Sequence, residues 1–334
     1  RQWAFDDPRL AKTDSPALWQ SVSLQQLFLV VPASEAPGPG PVATVSPAVP
    51  DKHYFMGRGG KDVIPLYRDA AATEPNVTDG LLGALTGRLG IAVEPADFAA
   101  YLYALLSTAR FQERFAVALQ TAGVRVPLTA DPDLWQQAVA LGRELLWLHT
   151  FAERFRDEAS GRGTRVPKID GLEWTQMVTA IPATIAEIEF RAAERELHVG
   201  DGVVSGVDPE VWSFEVSGLQ VVRKWLGSRT AKGIGNAATK PKPLDLIRPQ
   251  QWVDAWNDEL LDLLRVLTIT SRRAPEHAAL LDAICDGELV GADDLPQPAP
   301  GQERVPATKP RGQSLWSATY SSMASPVRQA VVRH

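Results

Sequence analysis

A chain of 334 residues has room for two or three domains, and 45% hydrophobic with 22% charged residues is the make-up of a soluble globular protein, not of a collagen, a coiled coil or a wholly disordered chain. One cysteine, Cys285, excludes a disulfide framework and a cysteine-rich zinc site. A net charge of −6 argues against nucleic acid, which selects basic surfaces, until its distribution along the chain is considered.

Residues 1–90 read as strands and loops. Gln26 to Val31 is a short apolar run stopped by Pro32, the pattern of a buried strand, and 42–49 is a candidate return strand. The segment between them, Ala36-Pro-Gly-Pro-Gly-Pro41, is a loop by its punctuation. Residues 95–122 have the apolar spacing of a helix, with Pro95 in its first turn and a break near Ser107-Thr108. A second helix is expected over 131–158, capped by Asp131 or Asp133, with Trp135, Val139, Gly142, Leu146 and His149 on one stripe. Residues 186–190, 195–199 and 211–216 alternate as half-buried strands do. Gly218 passes the chain to a helix over 219–226, followed by a Lys-, Gly- and Pro-rich loop over 227–243. Residues 249–285 return to helix, and from about 290 the Pro-rich polar sequence reads as a disordered tail.

Catalytic signatures are missing. Gly57 to Asp62 fails the phosphate-loop pattern twice, with Phe55 in place of the first glycine and Asp62 in place of Ser/Thr. The five histidines have no metal-binding spacing, and His149 on an apolar stripe reads as a core histidine. Cys285 reads as core rather than nucleophile. Asp254, Asp258, Glu259 and Asp262 read as a solvated acidic helix face. No nucleophile–base pair supports a free-standing hydrolase. No apolar run is long enough to span a membrane, and a reducing cytoplasm is the expected home. The chain opens on Arg1-Gln2-Trp3, without Met or signal peptide, and reads as a piece of a longer polypeptide.

The charge is uneven. Between Val221 and Lys242 stand Arg223, Lys224, Arg229, Lys232, Lys240 and Lys242 with no carboxylate, so this stretch carries +6 and the remainder −12. Such cations neutralise phosphates, and Asn236 among them has the chemistry to read an adenine edge. Charge alone leaves a solubilising loop equally open. A second basic site is Arg58-Gly-Gly-Lys61 with Tyr67 and Arg68, where glycine allows close backbone approach to a phosphate. Tyr67 there reads either as a stacking residue or as core.

Several segments, in order, resemble the C-terminal target-recognition region of type ISP restriction–modification enzymes, which are related to type IIG methyltransferases. They are Ile64-Pro-Leu-Tyr-Arg-Asp69, the helix Phe98 to Ser107, Arg125-Val-Pro-Leu128, Gly142 to His149, and Val211 to Arg229. Ser217 and Leu219 stand where that family has Gly and Tyr. The resemblance implies an α+β fold of β-rich recognition segments with a packed helical layer. Its expected parts are 1–90, a β-rich segment after a methyltransferase core; 91–160, helical; 161–248, a β-rich recognition segment with the basic loop; 249–288, C-terminal helices; and 289–334, a disordered tail.

It further implies a parent enzyme with a nuclease, an ATP- and Mg-dependent motor and an S-adenosylmethionine-dependent adenine-N6 methyltransferase. None of those cofactors is expected in this chain, which lacks an Asn-Pro-Pro-Tyr motif. The implied role is recognition of an asymmetric double-stranded DNA sequence, next to an upstream methyltransferase domain of the same chain. Arg223, Lys224 and Arg229, with backbone amides at the start of their helix, are expected to clamp a phosphate. Trp225 is expected in the core, and the loops 230–243 and 200–210 are expected to read bases. The competing expectation is a helical coupling module, docking on the rest of an enzyme without touching DNA.

Overall fold

The computed structural model describes residues 16–32, 37–50, 61–120, 124–234 and 249–297. After α1 (Pro16–Gln20), the apolar run forms β1 (Phe28–Pro32), and the return strand is β2 (Thr44–Ser46). With β3 (Lys61–Pro65) they make an antiparallel sheet in the order β2-β1-β3, pairing Leu29 with Val45 on one side and Ile64 on the other. The buried Gln26 amide locks this sheet to the following Pro-Leu-Tyr segment. It accepts from the amides of Leu66 and Tyr67 and donates to the carbonyl of Tyr67. The expectation of strands and loops alone over 1–90 is corrected by α1 and by α2 (Leu81–Leu89), which seats Leu85 and Leu89 in the core.

The long helical pattern is α3 (Pro95–Leu106) and α4 (Ala109–Arg114), separated at Ser107-Thr108 as the sequence suggests. Thr108 caps α4 by accepting from the Arg110 amide. Then α5 (Pro132–His149) begins at Asp131, whose carboxylate accepts from the amides of Asp133 and Leu134. It stops nine residues short of the expected 158 because Phe151 and Ala152 adopt positive φ. α3 and α5 pack closely. A Cβ on Gly142 would lie 1.9 Å from the Ala100 carbonyl oxygen, so only glycine fits at this contact. Tyr101 stacks on Trp135 with centroids 4.2 Å apart, and Arg143 pairs with Asp97.

The second half is built on β4 (Glu173–Gln176), β5 (Ile188–Arg191), β6 (Glu196–Val199) and β7 (Gly202–Ser205), antiparallel in the order β4-β7-β6-β5. The turn Gly200-Asp201 joins β6 to β7. Residues 202–205, expected as part of a reading loop, are therefore an interior strand. Residues 211–216 are not one strand: α6 (Pro209–Trp212) takes Val211 and Trp212, and only β8 (Glu215–Val216) is extended. Pro209 favours a helical first turn, which outweighs the alternation. Next come β9 (Leu219–Gln220), α7 (Val221–Gly227) and α8 (Ala231–Ile234).

Finally α9 (Ala255–Asp286) runs 32 residues, about 48 Å at 1.5 Å per residue. Its first half packs Leu260, Leu263, Leu264 and Leu267 into the core of the four-stranded sheet. Its last turns pack Leu281 and Ile284 into the core of α2–α5. Pro275 lies between the two halves.

Residues 289–297, expected within the disordered tail, return to the helical unit. Ala130 donates to the Glu288 carbonyl and Val290 to that of Leu128, while Leu295 packs on the core. Their apolar side chains and paired backbone explain the difference from a reading based on composition. Residues 298–334 lie outside the described residues. Among the described residues no helix is long and apolar enough to cross a membrane. Mixed helices and antiparallel sheets make the fold α+β.

Candidate nucleic-acid interface

The basic stretch is launched by a tight hairpin. β8 pairs with β9 through Ser217 and Gly218, both at positive φ (50° and 79°). Ser217 thus occupies a left-handed position that favours glycine. Its hydroxyl donates to the Pro41 carbonyl at 3.2 Å. The Pro-Gly loop packs on this turn: a Cβ on Gly40 would fall 2.1 Å from the Glu215 carbonyl oxygen, and Gly218 donates to Pro39. The loop read from punctuation alone therefore has a partner, and it joins the first sheet to the basic helix.

On α7 the buried side is Val222, Trp225 and Leu226, and Arg223 and Lys224 face solvent. Three- and four-residue spacing produces this division. Arg223 is steered by two neighbours. Its guanidinium lies 5.1 Å from the Trp212 ring centroid and donates to the Gln220 side chain at 3.3 Å. Lys232 on α8 is also exposed. Among the described residues none of these three has an ion-pair partner. The amide of Val221 donates to the Phe214 carbonyl, so this first amide of α7 is not available for the expected phosphate clamp.

Arg229 must be removed from the expected DNA contacts. It is 5% exposed, its guanidinium 3.6 Å above the Trp225 ring and 5.4 Å from that of Trp256. It donates to Glu259 at 3.1 Å and to the Trp225 carbonyl at 3.2 Å. Burial pushes Arg229 down to about 10 and Glu259 up, each charge opposing the other's shift, so Arg229 remains a cation near neutral pH. Glu259 accordingly leaves the expected acidic face. Asp254 and Asp258 are exposed, and Asp262 pairs with Arg265 one turn on. The pair fastens α7 to α9. Its partners lie thirty residues apart, and the only local hint was the four-residue spacing of Trp225 and Arg229.

The second basic site is not assembled as expected. The Arg68 guanidinium turns inward to Asn76 at 3.1 Å and to the Val77 carbonyl at 3.5 Å. Tyr67 is half-buried, bridged to Pro75, and burial raises its hydroxyl pKa, with Glu94 and Asp69 adding to the rise. Lys61 begins β3. Arg58, Asn236, Lys240 and Lys242 lie outside the described residues, as does most of the expected reading loop 230–243.

Trp225 is a core residue, as expected. His149 is a satisfied one. Its Nδ1 lies 2.6 Å from the Tyr103 hydroxyl and its Nε2 2.8 Å from the Thr270 hydroxyl, and burial with nearby His277 lowers its pKa to about 3. Cys285 packs against the helical core, its thiol pKa raised by burial. Among the described residues no cluster of His, Cys, Asp and Glu is arranged to hold a metal ion.

An α+β scaffold thus displays a short helix, α7, with Arg223 and Lys224 outward. The chain belongs to the type ISP C-terminal specificity domain family, whose model matches residues 1–263. Its fold is similar to part of a DrdV–DNA complex solved by cryo-electron microscopy, at 16% identity and a TM-score of 0.52, covering 76% of this chain and 24% of that one. It is also similar to part of the ATP-dependent type ISP restriction–modification enzyme LlaBIII bound to DNA, at 13% identity and a TM-score of 0.50, covering 79% of this chain and 16% of that one. This chain thus spans a quarter or less of the length of either. No curated protein matches it.

Proposed function

We propose that this chain is the DNA target-recognition part of a restriction–modification enzyme, holding a double-stranded sequence for catalytic domains of the same polypeptide. The observation that carries the reading is the outward pair Arg223 and Lys224 on α7, joined by Lys232, without acidic partners among the described residues. Cations held this way neutralise phosphates and release counterions. The family, and the DNA complexes formed by the proteins of similar fold, support the assignment.

In its finer form the reading gives the parent a kinship to type IIG enzymes. It also gives it adenine-N6 methylation with S-adenosylmethionine, cleavage of unmodified DNA driven by ATP and Mg, a cytoplasmic site of action and a role in defence against phage. The upstream methyltransferase domain is the direct partner of this chain. The 334 residues hold no Asn-Pro-Pro-Tyr motif, so the cofactors fall to that partner and to the motor. What this chain does is hold the duplex while a base flips.

The test is duplex binding by the full-length protein over a salt series. Log affinity is expected to fall linearly with log salt, and Arg223→Ala and Lys224→Ala should each reduce the slope by about 1 while weakening binding across sequences. Lys240→Ala should change it less. Wild-type binding by a variant lacking all three of Arg223, Lys224 and Lys232 overturns the proposal.

A further inference from the structure

Phosphate contacts position a protein on DNA, whereas base edges are read by neutral hydrogen-bonding groups and by apolar contact with the thymine methyl. The segment between β4 and β5 has that second chemistry. From Trp174 to Ala186 it contains no charged residue. Gln176, Met177, Thr179 and Ile185 are exposed, Met177 to 59% and Ile185 to 46%. Uncharged amide, hydroxyl and apolar side chains on one exposed segment have the chemistry that base edges and thymine methyls require.

The segment is held at both ends and in the middle. Trp174 donates to the Asn257 carbonyl at 3.0 Å, and the Asn257 side chain donates to Val178 at 3.2 Å. The Thr179 amide donates to Asp201 at 3.0 Å. A Cβ on Gly202 would lie 2.7 Å from the Val178 nitrogen, so glycine is what lets the segment cross the hairpin. Pro182 and Ala183 accept from the amides of Ala231 and Lys232 at 2.8 and 3.1 Å, and Ile185 lies against Gly227 at the end of α7. Two backbone hydrogen bonds and the Ile185 contact thus tie the neutral segment directly to α8 and to the end of α7, next to the displayed cations.

We infer that residues 175–185 form the base-reading edge of the domain, with Gln176 suited to adenine and Met177 and Ile185 to thymine methyls. This rests on the DNA-recognition reading above and moves readout away from 202–205, which form β7 in the interior of the sheet. Asp201 and Glu187, the carboxylates beside the segment, accept from its own amides, and duplex DNA is the occupant favoured by the adjoining Lys232, Lys224 and Arg223, which would repel a basic protein partner and leave an apolar one facing unpaired cations.

The experiment selects binding sites from a random-sequence duplex pool with the full-length protein, then measures affinity for the selected duplex and a scrambled one. Gln176→Ala, Met177→Ala and Ile185→Ala truncate exposed side chains, and melting temperatures equal to wild type confirm folding. The ratio of the two affinities is expected to drop about ten-fold or more in at least one variant, with relaxed preference at defined base pairs. If all three variants select the wild-type sequence with the wild-type ratio, the inference is overturned while DNA recognition stands. A wild type that binds duplexes but selects no sequence also overturns it. A wild type that binds no duplex at low salt overturns the DNA reading itself.

Discussion

In the helical unit, arginines meet carboxylates: Arg110 and Arg114 share Asp282, Arg143 takes Asp97, and Arg273 takes Glu144. Along α7 and the turn that follows it the pattern divides within six residues. Arg229 is buried against Glu259 and two tryptophans, while Arg223 is left in solvent over the Trp212 ring. The same residue type fastens the scaffold in one place and is displayed by it in the other, and whether the fold brings a carboxylate to it separates the two. Motif similarity by itself cannot make that distinction. Arg223, Lys224 and Arg229 belong to one family-like segment.

The sharpest way to break the comparison is Glu259→Ala. Leaving the buried Arg229 without its carboxylate is expected to cost about 3–5 kcal/mol, read by urea denaturation. A loss below about 1 kcal/mol would mean that Arg229 reaches water and belongs with Arg223. Gly142→Ala probes the scaffold without touching charge. Forcing α3 and α5 apart should cost about 2–3 kcal/mol in the same assay, with unchanged DNA salt dependence in whatever folds.

Acid tests the scaffold through His149. Its folded-state pKa of about 3 lies below the ordinary 6.5, so as pH falls the unfolded chain takes up a proton that the folded one refuses. Stability is therefore complete above about pH 6.5 and lost progressively toward pH 3, by about 2 kcal/mol between pH 7 and pH 5. His149→Asn should flatten that part of the curve. The smallest expected effect is on the displayed side. Arg223→Ala and Lys224→Ala should change stability by less than about 0.5 kcal/mol, although on the proposed function they are expected to weaken DNA binding.

Where apolar spacing is long and regular, the sequence is a good guide. The break at Ser107-Thr108, the Asp131 cap and the strands around 188–191 and 196–199 are legible because local signals decide them. The two-residue strands of the 215–220 hairpin and the helical turn at 209–212 are too short for periodicity to register. The family-like motifs turn out to serve packing as well: Gly142 admits the α3 backbone, Tyr103 meets His149, and Leu66-Tyr67 is clasped by Gln26. The site was only partly legible. Arg223 and Lys224 follow from charge and helical face. The fate of Arg229 depended on Glu259 and Trp256, which only the tertiary fold brings near. The uncharged run at 174–186 was visible as letters, but nothing local showed that it hydrogen-bonds to α8.

The span of α9 bears on how the molecule is made. Tyr101, Phe111 and Trp135 leave the ribosome before α9, yet the core they enter is closed by Leu281 and Ile284, with Leu295 packed against it. The helices α2–α5 must wait, with apolar surface open, until α9 is translated. The family match ends at residue 263, within the first third of that helix. A chain cut there would lose Leu264 and Leu267 from the core of the four-stranded sheet and Leu281 and Ile284 from that of the helical unit, leaving both open.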